Sequence, residues 1–180
     1  MRFTLYYRGP LRSNGSKKEK HELRLHFHRQ LELLWQRPPL AALLLPFSVP
    51  RTGTPGVVSV ALYRFLPLVD ERSASTLSLK IQFLRPGPPG QVIGHAGDID
   101  NRLKTLFDAL SMPQLNQLPA ATVPEVPVIY CVASDDKLIS AVSVRSLELL
   151  EPQCPPQDVV VTINVSTEPV FVNRANSHLQ

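Results

Sequence analysis

Cysteine is scarce in this chain. Only Cys131 and Cys154 occur among 180 residues, too few for a disulfide framework and without the neighbours of a zinc site. That usage fits a reducing compartment. Long hydrophobic runs are missing as well. The longest, from Leu40 to Leu45 and on to Phe47, is broken by Pro46 and falls far short of the ~20 apolar residues of a membrane span. The opening Met1-Arg2-Phe3-Thr4 leads into a strand-like run containing Arg8, not into a signal peptide. These features predict a soluble, cytoplasmic protein with no membrane partner. Internal repeats, heptads and glycine-rich phosphate loops are also lacking, so solenoids, coiled coils and P-loop enzymes find no support.

What is present reads as one globular domain spanning residues 1–180. Hydrophobic content is 43% and charged content 19%, a balance that can bury a core. Proline, at 18 residues, is about twice its average usage and predicts several rigid loops. The formal charge is +4, unevenly spread. Residues 1–37 hold nine Lys/Arg against three Asp/Glu, and the remainder holds ten against twelve. A basic amino-terminal segment beside an acidic site suits a polyanionic substrate that must also meet a cation. A solvated basic helix face gives the same composition.

Along the chain, residues 2–8 read as an aromatic-rich strand ended by Gly9-Pro10. The polar loop Ser13-Asn14-Gly15-Ser16 precedes helical spacing from Lys18 to Gln36, with Leu23, Phe27, Leu31 and Leu34 on one face. Leu40–Leu45 is either a short helix or a buried loop. Strands are expected at Val57–Leu66 and Thr76–Leu84, as a possible antiparallel pair, and briefly at 91–93. A helix follows over roughly 99–111, with Leu103, Leu106, Phe107 and Leu110 facing the core. Residues 113–127 look like a long loop. Val128–Ala133, Leu138–Val144 and Val159–Val165 read as strands, and a polar tail is expected to fray from Ser166.

The most informative stretch is Gly97-Asp98-Ile99-Asp100-Asn101-Arg102-Leu103-Lys104, continued by Asp108-Ala109-Leu110. It puts two aspartates one residue apart at the mouth of a helix and a lysine one turn later. A second acidic pair, Asp135-Asp136, lies downstream. Clustered carboxylates offer the hard oxygens that Mg²⁺ requires, and a bound cation offsets phosphate charge and activates water. Lys104 could stabilise charge developing on phosphate oxygens. Singly, each residue has a structural use: Asp98 or Asp100 as a helix cap, Lys104 as an ion-pair partner of Asp100 or Asp108, Asp135-Asp136 as a turn.

Jointly, these residues resemble the RusA-like family of Holliday-junction resolvases, over about residues 91–145. The resemblance implies an α/β (α+β) fold, compact and single-domain, with a mixed β-sheet and two main helices. It further implies a homodimer and Mg²⁺- or Mn²⁺-dependent nicking of branched DNA such as four-way junctions. By that resemblance the metal ligands are Asp98, Asp100 and one or both of Asp135 and Asp136. Lys104 and Asp100 are then the catalytic residues, with Asp108 structural. A catalytically inactive nucleic-acid-binding module of the same fold is one alternative, and a structural or interaction protein is another.

The basic segment supplies further candidates. Lys17, His21, Arg24 and His28 fall along one flank of the first helix, so Lys17, Lys18, Arg24 and His28 are candidate nucleic-acid contacts. Thr4, Tyr6, Tyr7 and Trp35 lie near the same segment and could stack on or border bases, although core packing is the expectation for Trp35. The spacing of His21, His26 and His28 fits no common metal site.

Overall fold

Regular in–out alternation of side chains builds one sheet of this protein, and an almost unbroken apolar run builds a second. The computed structural model describes residues 1–44, 56–87, 99–120, 123–151, 153–155, 157–172, 176 and 179. Their order is β1 (Arg2–Pro10), α1 (Lys17–Trp35), α2 (Ala41–Leu44), β2 (Val58–Val60), β3 (Tyr63–Val69) and β4 (Ser75–Arg85), followed by α3 (Ile99–Leu110), β5 (Ile129–Ala133), β6 (Ile139–Glu148) and β7 (Asp158–Pro169). The expected strand at 91–93 and Asp98 lie outside the described residues.

The larger sheet has the strand order β1-β7-β4-β6. β7 runs antiparallel to both β1 and β4, and β6 is parallel to β4. The smaller sheet has the order β2-β3-β5, with β3 antiparallel to β2 and parallel to β5. The fold is therefore a single α+β domain with mixed sheets and two main helices. β3 and β4 do not form the antiparallel pair that their adjacency suggests. β3 (YRFLPLV) is buried at every position but Arg64, as suits a strand enclosed on both faces, whereas β4 alternates. Between them Asp70 caps a 3₁₀ turn, Glu71–Ser73, and Ala74 takes a left-handed conformation (φ 44°), so the chain crosses to the other sheet.

α1 begins as the sequence predicts. Ser16 Oγ accepts from Glu19 N (3.2 Å) and Ser16 N donates to Glu19 Oε2 (2.8 Å), a reciprocal capping box. Leu23, Phe27 and Leu31 enter the core with Trp35, which is wholly buried. They meet Leu106, Ala109 and Leu110 of α3, and Leu79, Ile81, Val161 and Ile163 from the inner face of the large sheet.

The two edges of the larger sheet differ. The outer edge of β1 is occupied at Tyr6, whose N–H donates to Gln30 Oε1 (2.9 Å) and whose carbonyl accepts from Gln30 Nε2 (2.7 Å). β6, at the opposite edge, has no strand beyond it among the described residues and is exposed along most of its length. The expected fraying from Ser166 is also corrected. β7 continues to Pro169, Val170 N donates to the carbonyl of Ala74, and Asn176 and Leu179 are fully buried.

Candidate functional site

α3 carries the motif, and its amphipathic spacing fixes which side chains reach the surface. Leu106, Ala109 and Leu110 are buried, while Asp100 and Lys104 are exposed. Asp108 is largely enclosed, its carboxylate 2.7 Å from Lys20 Nζ of α1. The carboxyl end of α3 is tied down on two sides. Arg24 donates from Nη2 to the Asp108 carbonyl (2.5 Å) and from Nε to the Ser111 carbonyl (3.2 Å). Met112 N donates to the carbonyl of Ala133 at the end of β5 (2.9 Å). The Asp108 carbonyl belongs to the last turn of the helix and that of Ser111 lies just past it, where backbone acceptors lack intrahelical donors and a cation is favoured.

Because β5 ends at that point, the acidic pair that follows it is delivered to the same place. Asp135 caps a 3₁₀ turn, Asp136–Leu138, accepting from Lys137 N at Oδ1 (2.9 Å). A depression of about 330 Å³ is lined by Asp108, Ser111, Met112, Asp135 and Asp136, among others. The Ser111 hydroxyl is buried without a hydrogen-bond partner among the described residues. Partial burial pushes the Asp136 carboxyl above its ordinary range, reinforced by the charge of Asp135, a hydrogen bond with Asp135 and the charge of Asp108. Lys137 Nζ turns to Glu71 (2.5 Å), which raises its own pKa through that bond and charge.

The motif acids are therefore distributed along the helix. Asp108, Asp135 and Asp136 gather at the carboxyl end of α3. Asp100 stands eight residues earlier, about 12 Å along the axis at 1.5 Å per residue, and accepts from Asn101 N at Oδ1 (2.7 Å). Lys104 lies between, one turn from Asp108. Neither Asp100 nor Lys104 is among the groups acting on Asp136. Asp98 lies outside the described residues. Among the described residues, no three His, Cys, Asp or Glu side chains are arranged to hold a metal ion.

Two of the basic candidates are corrected. Arg24 is 1% exposed and His28 3% exposed, so neither can serve as a surface contact for nucleic acid. Arg24 is consumed by the α3 carbonyls. His28 Nδ1 accepts from Tyr130 N (3.1 Å), and its ring stacks on Tyr130 at 5.4 Å. Burial lowers the pKa of His28, and of His21, which sits edge-on to Tyr63. His26 instead contacts the Tyr6 carbonyl (2.9 Å), so the three histidines serve three separate contacts. Lys17 and Lys18 are exposed at the start of α1. Sequence reasoning passes over Lys20, because nothing local signals a partner on α3. Cys131 is buried, which pushes its thiol up to about 12.

The chain matches no family model, no curated protein and no solved structure.

Proposed function

We propose that the protein is a metal-dependent endodeoxyribonuclease that nicks branched DNA such as four-way junctions, with the depression at the end of α3 as its cation site. The observation that carries the reading is the gathering of Asp108, Asp135 and Asp136 around one depression at the end of the motif helix. Repulsion among these carboxylates favours a bound cation. The donor set is one of hard oxygens, and Mg²⁺ is commonly held by one or two carboxylates together with water and substrate phosphate. Asp135 and Asp136 would hold the ion, Asp108 being engaged by Lys20. When bound, the ion supplies charge neutralisation at the phosphate and activation of water. The chain's own contribution is positional. Arg24 fixes the end of α3 beside the acidic turn, and Lys104 stands exposed one turn away, able to meet a phosphate oxygen.

The resemblance to RusA-like resolvases implies a homodimer. The open edge of β6, with Val142 43% exposed, is a strand able to supply a two-fold contact.

The test is cleavage of a synthetic four-way junction with Mg²⁺ or Mn²⁺. Asp136→Asn should abolish nicking and leave junction binding intact. Normal nicking by that variant would remove Asp136 from the site. Junction binding by the parent protein, with no cleavage in either metal, would favour a non-catalytic binding module. That second reading draws on the bonds already made by two of the acids, Asp108 to Lys20 and Asp135 to its own turn.

A further inference from the structure

The outward face of the larger sheet carries more cations than acids, and three of those cations are unpaired among the described residues. Register places Thr4, Asn164, Lys80 and Ser143 in one row across the four strands, and Tyr6, Thr162, Gln82 and Arg145 in the next. Arg2 follows on the other side of the first row, opposite Ser166. An antiparallel sheet with one solvated face is ordinary, and such faces commonly pair opposite charges across strands. Here the cations face Ser, Asn and Gln. Among the described residues Arg2, Lys80 and Arg145 form no ion pair. The acids on this face, Glu168 and Asp158, stand at the two ends of β7. Arg8 alone is matched, by Glu151 at 2.5 Å.

The same face offers a shaped floor and a ring. A depression of about 600 Å³ is lined by Arg2 and Lys80 together with Ser78, Asn164, Ser166 and Glu168. Hydroxyl and amide groups beside two free cations are donors suited to anionic oxygens. Tyr6, one row away, is 44% exposed, and its backbone is held by Gln30 and His26 of α1. An exposed ring on an anchored strand can serve as a stacking platform for a base. Across one row the four strands span about 14 Å at ~4.8 Å per step, wide enough for an extended strand to cross.

We infer that this sheet face binds single-stranded nucleic acid, with Arg2, Lys80 and Arg145 contacting backbone phosphates and Tyr6 stacking on a base. The face lies on the side of the sheet away from the helices, so it is separate from the acidic depression. It does not depend on the nuclease reading, and it would serve a non-catalytic protein equally well.

The test is fluorescence anisotropy with a fluorescein-labelled single-stranded oligonucleotide of mixed sequence, in EDTA, so that cleavage and metal binding play no part. The Lys80→Ala/Arg145→Ala double variant should bind more weakly. Its log affinity should fall less steeply with log salt, by about 1.4 in slope for two lost contacts at ~0.7 each. Tyr6→Ala should weaken binding roughly 5- to 150-fold, the range for one lost stacking contact. Arg37→Ala/Arg64→Ala removes equal charge from exposed positions off this face and should change affinity much less. The inference is overturned if both double variants lose affinity equally, if Tyr6→Ala binds like the parent, or if the parent protein does not bind the oligonucleotide.

Discussion

Replacing Arg24 by methionine separates two roles for this residue, a surface contact to DNA and a buried strut between helices. In the structure the guanidinium is 1% exposed and gives two hydrogen bonds to the carbonyls of Asp108 and Ser111. Hydrogen bonds from a charged donor are worth about 1.5–3 kcal/mol each. Methionine refills part of the volume, and its burial avoids the desolvation of a guanidinium, which burial already pulls below its usual pKa. The remainder is a destabilisation of about 2–4 kcal/mol, or roughly 5–15 °C in Tm for a domain of this size. Urea unfolding followed by tryptophan fluorescence is a direct measure, because Trp35 is the single tryptophan and is fully buried. At temperatures well below the transition, the folded variant should bind oligonucleotide as the parent does. Stability within about 0.5 kcal/mol of the parent, together with weakened DNA binding, would refute the buried-strut assignment.

Four further outcomes are expected. Since the Asp136 carboxyl is raised in the folded state, the folded protein binds its proton more tightly than the unfolded chain. The favourable contribution is then complete below the unfolded carboxylate range, near pH 4, and is lost as pH rises through the raised folded value. Asp136→Asn should therefore stabilise slightly at neutral pH, by under about 1 kcal/mol given solvent screening, with no gain at low pH. Mg²⁺ should raise the Tm of the parent more than that of the variant. A Val142→Lys substitution on β6 should turn any dimer into monomer in sedimentation velocity, with the folded core unchanged. In the native protein iodoacetamide should modify Cys154 and spare Cys131, whose burial and high pKa suppress the thiolate; rapid labelling of both, read by mass spectrometry, would contradict the packing of β5.

Much of the fold was open to local reasoning. The Ser16–Glu19 capping box and the Leu23/Phe27/Leu31 spacing define α1 without tertiary help, and β7 is legible from its alternating valines and isoleucine. Which strands pair was not legible. β3 and β4 are neighbours in sequence, yet the enclosure of β3 between β2 and β5 depends on a partner that arrives only after α3. The acidic pair was legible as a cluster, and its neighbour was not. A helix wheel places Asp100, Lys104 and Asp108 on one edge, and only the docking of Met112 on Ala133 decides that Asp108 is the one beside Asp136. The basic flank of α1 misleads for a similar reason. Arg24 and His28 have surface chemistry, and what removes them from the surface is a pair of backbone carbonyls and a tyrosine N–H far away in sequence.

Gln30 has a consequence out of proportion to its size. By engaging both backbone groups of Tyr6, its amide interrupts the pairing edge of β1 at mid-strand. Strand addition is then favoured at the opposite flank, and a ribbon that recruits neighbours on a single side terminates after one partner instead of propagating into a fibre.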